Sequence, residues 1–215
     1  MITLSAFRWV PPLAQGLVKD LRVRWALEEA GLPYQVHLIG FEDQGTAAYR
    51  GLQPFGQVPA FQEDGLTLFE SGAIVLRVAE RSAALAPADP QGRARMTAWM
   101  FAALNSVEPM IQNLATIDLF ESDAEWAKLH RPATEDFACV RLAALSAALG
   151  DQDYLEDRFT AGDLLMVSVL RILRHTNLVA RYPNLEAYRL RCEARPAFRK
   201  ALADQMATFR ENAPA

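Results

Sequence analysis

The sequence predicts a two-domain protein, with an α+β domain followed by an all-α domain. Two observations predict this division. Up to about residue 80 the hydrophobic period alternates between strand and helix values, whereas beyond residue 90 every apolar pattern is helical. Pro87 and Pro90 stand among small residues where the pattern changes. We therefore place the domains at 1–82 and 91–215, with a linker at 83–90.

The first domain begins with a predicted β-α-β unit. Ile2–Phe7 and Tyr34–Ile39 alternate apolar and polar side chains, which is typical of half-buried strands. A helix is predicted from about Gly16, and Gly31 followed by Pro33 is a typical helix end. One crossover helix between two strands implies that they pair in parallel.

A β-hairpin and a second helix complete this domain. Asp64 and Gly65 separate the apolar runs 58–62 and 66–69, and Asp-Gly in this position favours a tight turn between two strands. A helix is predicted from the Glu-Ser-Gly that follows. The preceding segment, 40–56, is predicted to be a loop with one helical turn. The expected order is β-α-β-loop-β-β-α.

The second domain is predicted to be entirely helical. Its first segment, 93–118, is long and amphipathic, with apolar residues from Met96 to Ile111 on one helical face. The predicted helices cover residues 93–118, 132–149, a segment starting after residue 160, 185–193 and 196–209.

The composition argues against two classes of partner. The formal net charge is −4, with both signs mixed along the chain, so no concentrated basic face for nucleic acid is expected. No apolar run approaches the roughly 20 residues that cross a bilayer. The first residues lack the charged and then apolar pattern of a signal peptide. We therefore expect neither nucleic acid nor a membrane as partner.

The cysteines and histidines carry no metal or disulfide pattern. Cys139 and Cys192 are far apart, which suits a reducing compartment such as the cytoplasm better than a disulfide scaffold. His37, His130 and His175 show no ligand spacing with one another or with cysteine, so no metal site is expected.

The segment QVPAF places a proline at the start of an apolar strand. Pro59 cannot donate to a sheet ladder, so its position needs an explanation. A cis Val58–Pro59 bond would expose the Val58 main chain for pairing with a short extended peptide. The alternative is a trans proline at a sheet edge, which base rates favour.

The segment ESGAI places two polar residues where a strand becomes a helix. The amides and dipole of a helix N-terminus suit a carboxylate, and the Ser71 hydroxyl adds a donor. Glu70 can accept a hydrogen bond from an ammonium group. Together they would hold an α-amino acid head group. The alternative is that Ser71 only caps the helix.

The segment FTAGDLLM has a structural interpretation. Thr160 as N-cap and Asp163 three residues later form a variant of the capping box. We expect this box to start a buried helix and to support folding rather than catalysis.

In this order and spacing, the three segments resemble the glutathione transferase superfamily, in its cytosolic bacterial type. RVRWALEEAGLPY and RYPNLEAY with RPAF are similar to its first helix and its C-terminal helices. The resemblance covers nearly the whole chain. It implies a thioredoxin-like N-terminal domain, an all-helical C-terminal domain, glutathione as co-substrate, and a cytoplasmic homodimer with active sites near the subunit interface.

The resemblance also implies roles for individual residues. Val58, before the cis-proline, would pair through its main chain with the cysteinyl part of glutathione. Glu70 and Ser71 would hold the γ-glutamyl end, and Gln57 the glycyl end. A small hydrophobic electrophile would bind between the domains. Three helical-domain residues are candidate walls of that pocket, or plain core residues: Met100, Leu104 and Val107.

The group that activates the thiol is missing from its usual place. A free thiol has a pKa of about 8.5 and needs a stabilised anion to react at neutral pH. The family usually supplies a Tyr, Ser or Cys after the first strand, but residues 7–25 contain none of these, and Ser5 comes too early. The substitutes to consider are the Trp9 indole, the amides of Leu17 and Val18 at the predicted helix start, and the cations Lys19 and Arg22.

Three functions therefore stay open. The chain is a glutathione transferase that attacks an electrophile with the glutathione thiolate, or a non-catalytic module that keeps the binding site. The third possibility is a glutathione-dependent reductase, isomerase or dehalogenase.

Overall fold

A computed structural model describes residues 1–214. The chain forms two compact units. One comprises Met1–Ala86 together with the segment that starts at Arg195, and the other comprises Pro87–Ala194. No helix in the described part of the chain is both long and apolar enough to cross a membrane.

A four-stranded mixed sheet organises the first unit, as the sequence predicted. Its strands are β1 (Ile2–Phe7), β2 (Tyr34–Ile39), β3 (Ala60–Glu63) and β4 (Leu66–Phe69). Their order across the sheet is β2-β1-β3-β4. β1 and β2 are parallel, whereas β1–β3 and β3–β4 are antiparallel. The α+β class of this part is confirmed.

Four α-helices belong to this unit: α1 (Asp20–Ala30), α2 (Ala47–Arg50), α3 (Ser71–Ala79) and α9 (Pro196–Glu211). Ahead of α2, Phe41–Gly45 forms a 3-10 turn, so the predicted loop contains two helical segments rather than one.

The first helix starts later than predicted, at Asp20 instead of about Gly16. Gly16 has a φ of 77°, a left-handed conformation that cannot belong to a right-handed helix. Before it the chain makes tight turns, in which the Ala14 amide donates to the Pro11 carbonyl at 2.9 Å. The helical spacing of apolar residues therefore extends several residues ahead of the first residue of the helix.

The last helix, α9, packs along α1. The rings of Trp25 and Phe198 meet edge to face at 4.8 Å. At the start of α9, Arg195 makes two hydrogen bonds to the Glu29 carboxylate, at 2.6 and 2.8 Å. The sequence analysis assigned this helix to the helical domain, because its period alone carries no information about its packing partner.

The second unit is helical, as predicted. Its α-helices are α4 (Pro90–Phe101), α5 (Glu108–Phe120), α6 (Glu125–Leu149), α7 (Ala161–Leu170) and α8 (Pro183–Glu193). Two 3-10 turns follow α7, at Arg171–Leu173 and Val179–Arg181. The predicted helix 93–118 is not regular, since a π-helical segment, Ala102–Val107, joins α4 to α5.

The helix α6 starts seven residues before Pro132, where the sequence placed its beginning. A proline is favoured in a first turn but costs a hydrogen bond inside a helix. In this early part of α6, Arg131 contacts the preceding helix. Its guanidinium holds both carboxylate oxygens of Asp118 of α5, at 2.6 and 3.1 Å, and also contacts Glu135 at 2.8 Å.

A buried capping box begins α7. The Asp163 carboxylate accepts hydrogen bonds from the Thr160 amide at 2.8 Å and the Leu155 amide at 2.9 Å. The Tyr188 hydroxyl of α8 donates to the same carboxylate at 2.9 Å. Burial raises the pKa of Asp163, and the hydrogen bonds oppose that shift. Asp163 therefore connects α7 to α8 and to the loop around Leu155 that precedes α7.

Candidate functional site

Three segments of the first unit meet at one end of the sheet. In the β3–β4 hairpin Ala60 lies opposite Phe69, so the residues just before β3 and just after β4 emerge together. The C-terminal end of β1 reaches the same side, because Leu4 lies opposite Phe61 in an antiparallel pair. The register thus brings together QVPAF, ESGAI and the segment that follows β1.

The Val58–Pro59 peptide bond is cis, the form the sequence analysis considered against a trans proline. The Val58 side chain is buried against Ile39 and Tyr49. Its main-chain N–H and C=O make no hydrogen bond within residues 1–214. The side chain therefore fixes this residue while its main chain is left to pair with another molecule.

A chain of hydrogen bonds holds the loop on both sides of Val58. The Tyr49 hydroxyl donates to the Gln57 carbonyl at 2.7 Å and lies 2.8 Å from the Ser5 hydroxyl. The Ala60 amide donates to the Ser5 hydroxyl at 2.7 Å. The sequence analysis considered Ser5 only as a thiol activator and did not consider Tyr49, because the two lie 44 positions apart and no local pattern joins them.

The junction of β4 and α3 has an unusual backbone. Glu70 has a φ of 69°, which is uncommon for a residue other than glycine and which marks a candidate functional position. Its side chain is exposed, whereas Ser71 behind it is buried. The first intrahelical bond runs from the Ile74 amide to the Glu70 carbonyl at 3.0 Å, so the amides before Ile74 have no acceptor within the helix.

Arg22 lies at this same junction. It is buried, and its guanidinium donates to the Ser71 hydroxyl at 3.3 Å. The sequence analysis considered it both as a cation near the thiol and as a structural ion-pair partner. The structure places its charge beside the start of α3, where the helix dipole adds further positive potential. This combination can hold a carboxylate.

The other candidate activators of the thiol lie between β1 and α1. Leu17 and Val18 precede the helix, and the Leu17 amide donates to the Ala14 carbonyl at 3.0 Å. Leu17 therefore does not present a helix N-terminal amide, which corrects that expectation. Trp9 is half-buried and Lys19, the N-cap residue of α1, is exposed.

The remaining predicted residues have different surroundings. The Gln57 side chain is exposed beside the cis peptide. In the second unit, Met100 and Val107 are buried and belong to its core, while Leu104 is half-buried on the π-helical segment. Within residues 1–214, no group of three or more acidic, histidine or cysteine side chains could hold a metal ion.

Comparison with known families finds a matching domain family for a segment in each half of the chain. Residues 16–80 match the profile of the glutathione S-transferase N-terminal domain, and residues 133–196 match that of the C-terminal domain.

Known relatives extend over most of the chain. Glutathione S-transferase 3 of Zea mays is 30% identical over 210 residues, which are 89% of this chain and 90% of the relative. Probable maleylacetoacetate isomerase 2 of Drosophila melanogaster is 30% identical over 188 residues, 84% of this chain and 81% of the relative.

Among solved structures, a glutathione transferase from Burkholderia graminis has two glutathione molecules bound per subunit. It is 27% identical to this chain, with a TM-score of 0.81, and the alignment covers 94% of this chain and 87% of that one.

Proposed function

Because the chain belongs to the glutathione S-transferase superfamily, we propose that it is a glutathione transferase whose thiolate attacks a small hydrophobic electrophile. The register of the β3–β4 hairpin carries this proposal. It brings the unpaired main chain of Val58 to the same end of the sheet as Glu70 and Ser71. A tripeptide extends over about 10 Å, which suits a ligand bound across neighbouring segments.

In the proposed binding mode glutathione pairs with the sheet through its backbone. The cysteinyl residue exchanges hydrogen bonds with the Val58 main chain, in the manner of an added strand. The γ-glutamyl carboxylate meets the first amides of α3, the Ser71 hydroxyl and the charge of Arg22. Glu70, exposed beside them, accepts from the γ-glutamyl ammonium, and Gln57 reaches the glycyl end.

The thiolate would be stabilised from the segment after β1. Arg22 is oriented towards Ser71 and the Leu17 amide is used in a turn, so the Trp9 indole and the Lys19 ammonium are the stronger candidates. Either could donate to a sulfur anion without a hydroxyl group. In the second unit, Leu104 is the candidate residue for contact with the electrophile, because its side chain on the π-helical segment is only half-buried.

Thiol activation is the test of catalysis. We expect bound glutathione to show thiolate absorbance near neutral pH and to react with a chloronitrobenzene, because the site would lower the thiol pKa. The control is free glutathione at the same pH. Bound glutathione with an unshifted thiol pKa and no conjugation would contradict the transferase and favour the second open function, a non-catalytic binding module.

A glutathione-dependent isomerase is a second candidate, and the 30% identity with the Drosophila relative favours it. An isomerase regenerates glutathione, whereas a transferase consumes it. Quantifying glutathione after many turnovers of a cis-configured unsaturated diketo acid separates the two. Product formed without loss of glutathione would support the isomerase.

We further propose a cytoplasmic homodimer. Four large apolar side chains are exposed along one face of α6: Trp126, Leu129, Phe137 and Val140. Their helical spacing places them in a row on one face of α6, and a two-fold contact would place this row against its own copy. Large exposed apolar patches on a folded protein mark interaction surfaces. The cysteines Cys139 and Cys192 lie far apart in the sequence, which suits a reducing compartment.

The Phe137→Glu variant is expected to be monomeric at micromolar concentrations at which the wild type is dimeric, because it places a charge in the apolar row. Light scattering after size-exclusion chromatography measures this change. Leu190→Glu is the control at an exposed apolar position on α8, and it should leave the mass of the dimer in solution unchanged. A wild-type protein that is monomeric at high concentration would contradict the dimer.

A further inference from the structure

The hydrogen-bond chain through Ser5 and Tyr49 has a fixed direction. The Gln57 carbonyl can only accept, so the Tyr49 hydroxyl must donate its proton to it. Tyr49 then accepts from the Ser5 hydroxyl, and the Ser5 oxygen accepts from the Ala60 amide. Every proton in the chain is thus assigned by the two main-chain groups at its ends.

This direction is stable because both side chains are buried. Ser5 and Tyr49 are each about 4% exposed, so water does not compete for their hydroxyl groups. Burial raises the pKa of Tyr49, and the hydrogen bond from Ser5 only partly opposes this shift. Tyr49 therefore keeps its proton and remains a donor throughout the neutral range.

Holding the Gln57 carbonyl also orients the Val58 amide. The two groups belong to one peptide unit, which is planar and trans, so they point in opposite directions. When the carbonyl points to Tyr49, the Val58 N–H must point away from it. The same reasoning applies after Pro59, where Ser5 holds the Ala60 amide and thereby fixes the Pro59 carbonyl.

We propose that Ser5 and Tyr49 are positioning residues for glutathione, which aim the Val58 main chain at the cysteinyl part of the ligand. This inference rests on the proposed function. Neither side chain touches the ligand. Both hold peptide units that flank Val58, so their removal lowers the fraction of protein whose Val58 amide is correctly directed. Their removal should therefore lower the affinity for glutathione without changing the rate of the chemical step.

The Tyr49→Phe variant tests this assignment. It keeps the ring that packs on Val58 and removes only the hydroxyl. We expect the dissociation constant of glutathione, measured by calorimetry, to rise about fivefold, the order of one neutral hydrogen bond. The KM for glutathione should rise by a similar factor with kcat nearly unchanged. Ser5→Ala should shift affinity in the same direction.

Tyr34→Phe is the matched control. Tyr34 lies in β2 of the same unit, and its hydroxyl donates to Glu28 at 3.3 Å, away from the loop. It should leave glutathione affinity unchanged. If folded Tyr49→Phe and Ser5→Ala proteins bind glutathione as tightly as the wild type, the positioning role is wrong. If the wild type itself does not bind, the proposed function fails and this role fails with it.

Amide hydrogen exchange in the ligand-free wild type gives a measurement that does not depend on the stability of a variant. The Ala60 amide, held by buried Ser5, should exchange slowly, and the Val58 amide should exchange much faster until glutathione is added. A Val58 amide that is as protected as that of Ala60 without ligand would overturn the proposal.

Discussion

Replacing Asp163 by alanine is expected to lower the free energy of unfolding by about 4 kcal/mol. The carboxylate accepts from two main-chain amides and from Tyr188, all in buried surroundings. Each buried donor left without an acceptor costs about 1–3 kcal/mol, and truncation adds a cavity. Urea denaturation followed by circular dichroism measures the loss.

The matched control is Asp153→Ala. Asp153 pairs with Arg191 at 2.9 Å, but its side chain is 71% exposed, so its removal should cost less than about 1 kcal/mol. Equal midpoints for the Asp163 and Asp153 variants would show that the capping box does not stabilise α7. Glutathione affinity per folded molecule should be unchanged in both, because Asp163 lies in the second unit.

The Glu70→Gln variant is expected to bind glutathione about 10-fold more weakly. The substitution keeps the size of the side chain and removes the charge that would pair with the γ-glutamyl ammonium, a charge-assisted bond of roughly 1.5 kcal/mol. Glutamine is preferable to alanine as a test because it retains side-chain bulk at this positive-φ position. Calorimetric titration measures the affinity.

Glu80→Gln is the control at the other end of the same helix. Glu80 is the exposed C-cap residue of α3, and its replacement should leave affinity and melting temperature unchanged. If Glu70→Gln binds as tightly as the wild type, the ammonium is held elsewhere. In that case a glutathione analogue without the amine, such as des-amino glutathione, should bind more weakly than glutathione by the same factor in Glu70→Gln and in the wild type.

Local patterns were sufficient to predict the sheet and the backbone form of the candidate binding segments. The bounds of β1, β2 and β4 agree with the alternation of side chains, and the Asp64-Gly65 turn forms the hairpin. The junction at Ser71 and the capping box at Thr160 also have the predicted local form. These features depend on residues close in sequence, so their signal is local.

Features that depend on distant contacts were missed. Gly16 adopts a left-handed conformation within an apolar pattern of helical spacing, so the pattern alone misplaced the start of α1. The first turns of α6 carry Arg131, which pairs with Asp118 of another helix, and no local pattern signals this contact. Neither Ser5 nor Tyr49 is remarkable in sequence, and only the folded sheet brings their hydroxyl groups together.

A crystal structure of the chain with reduced glutathione is the most direct test of the central claim. We predict the cysteinyl main chain at about 3 Å from the N–H and C=O of Val58, with the γ-glutamyl carboxylate at a similar distance from the Ser71 amide. Glutathione bound anywhere else on the chain, or bound here without contacting the Val58 main chain, would contradict the account.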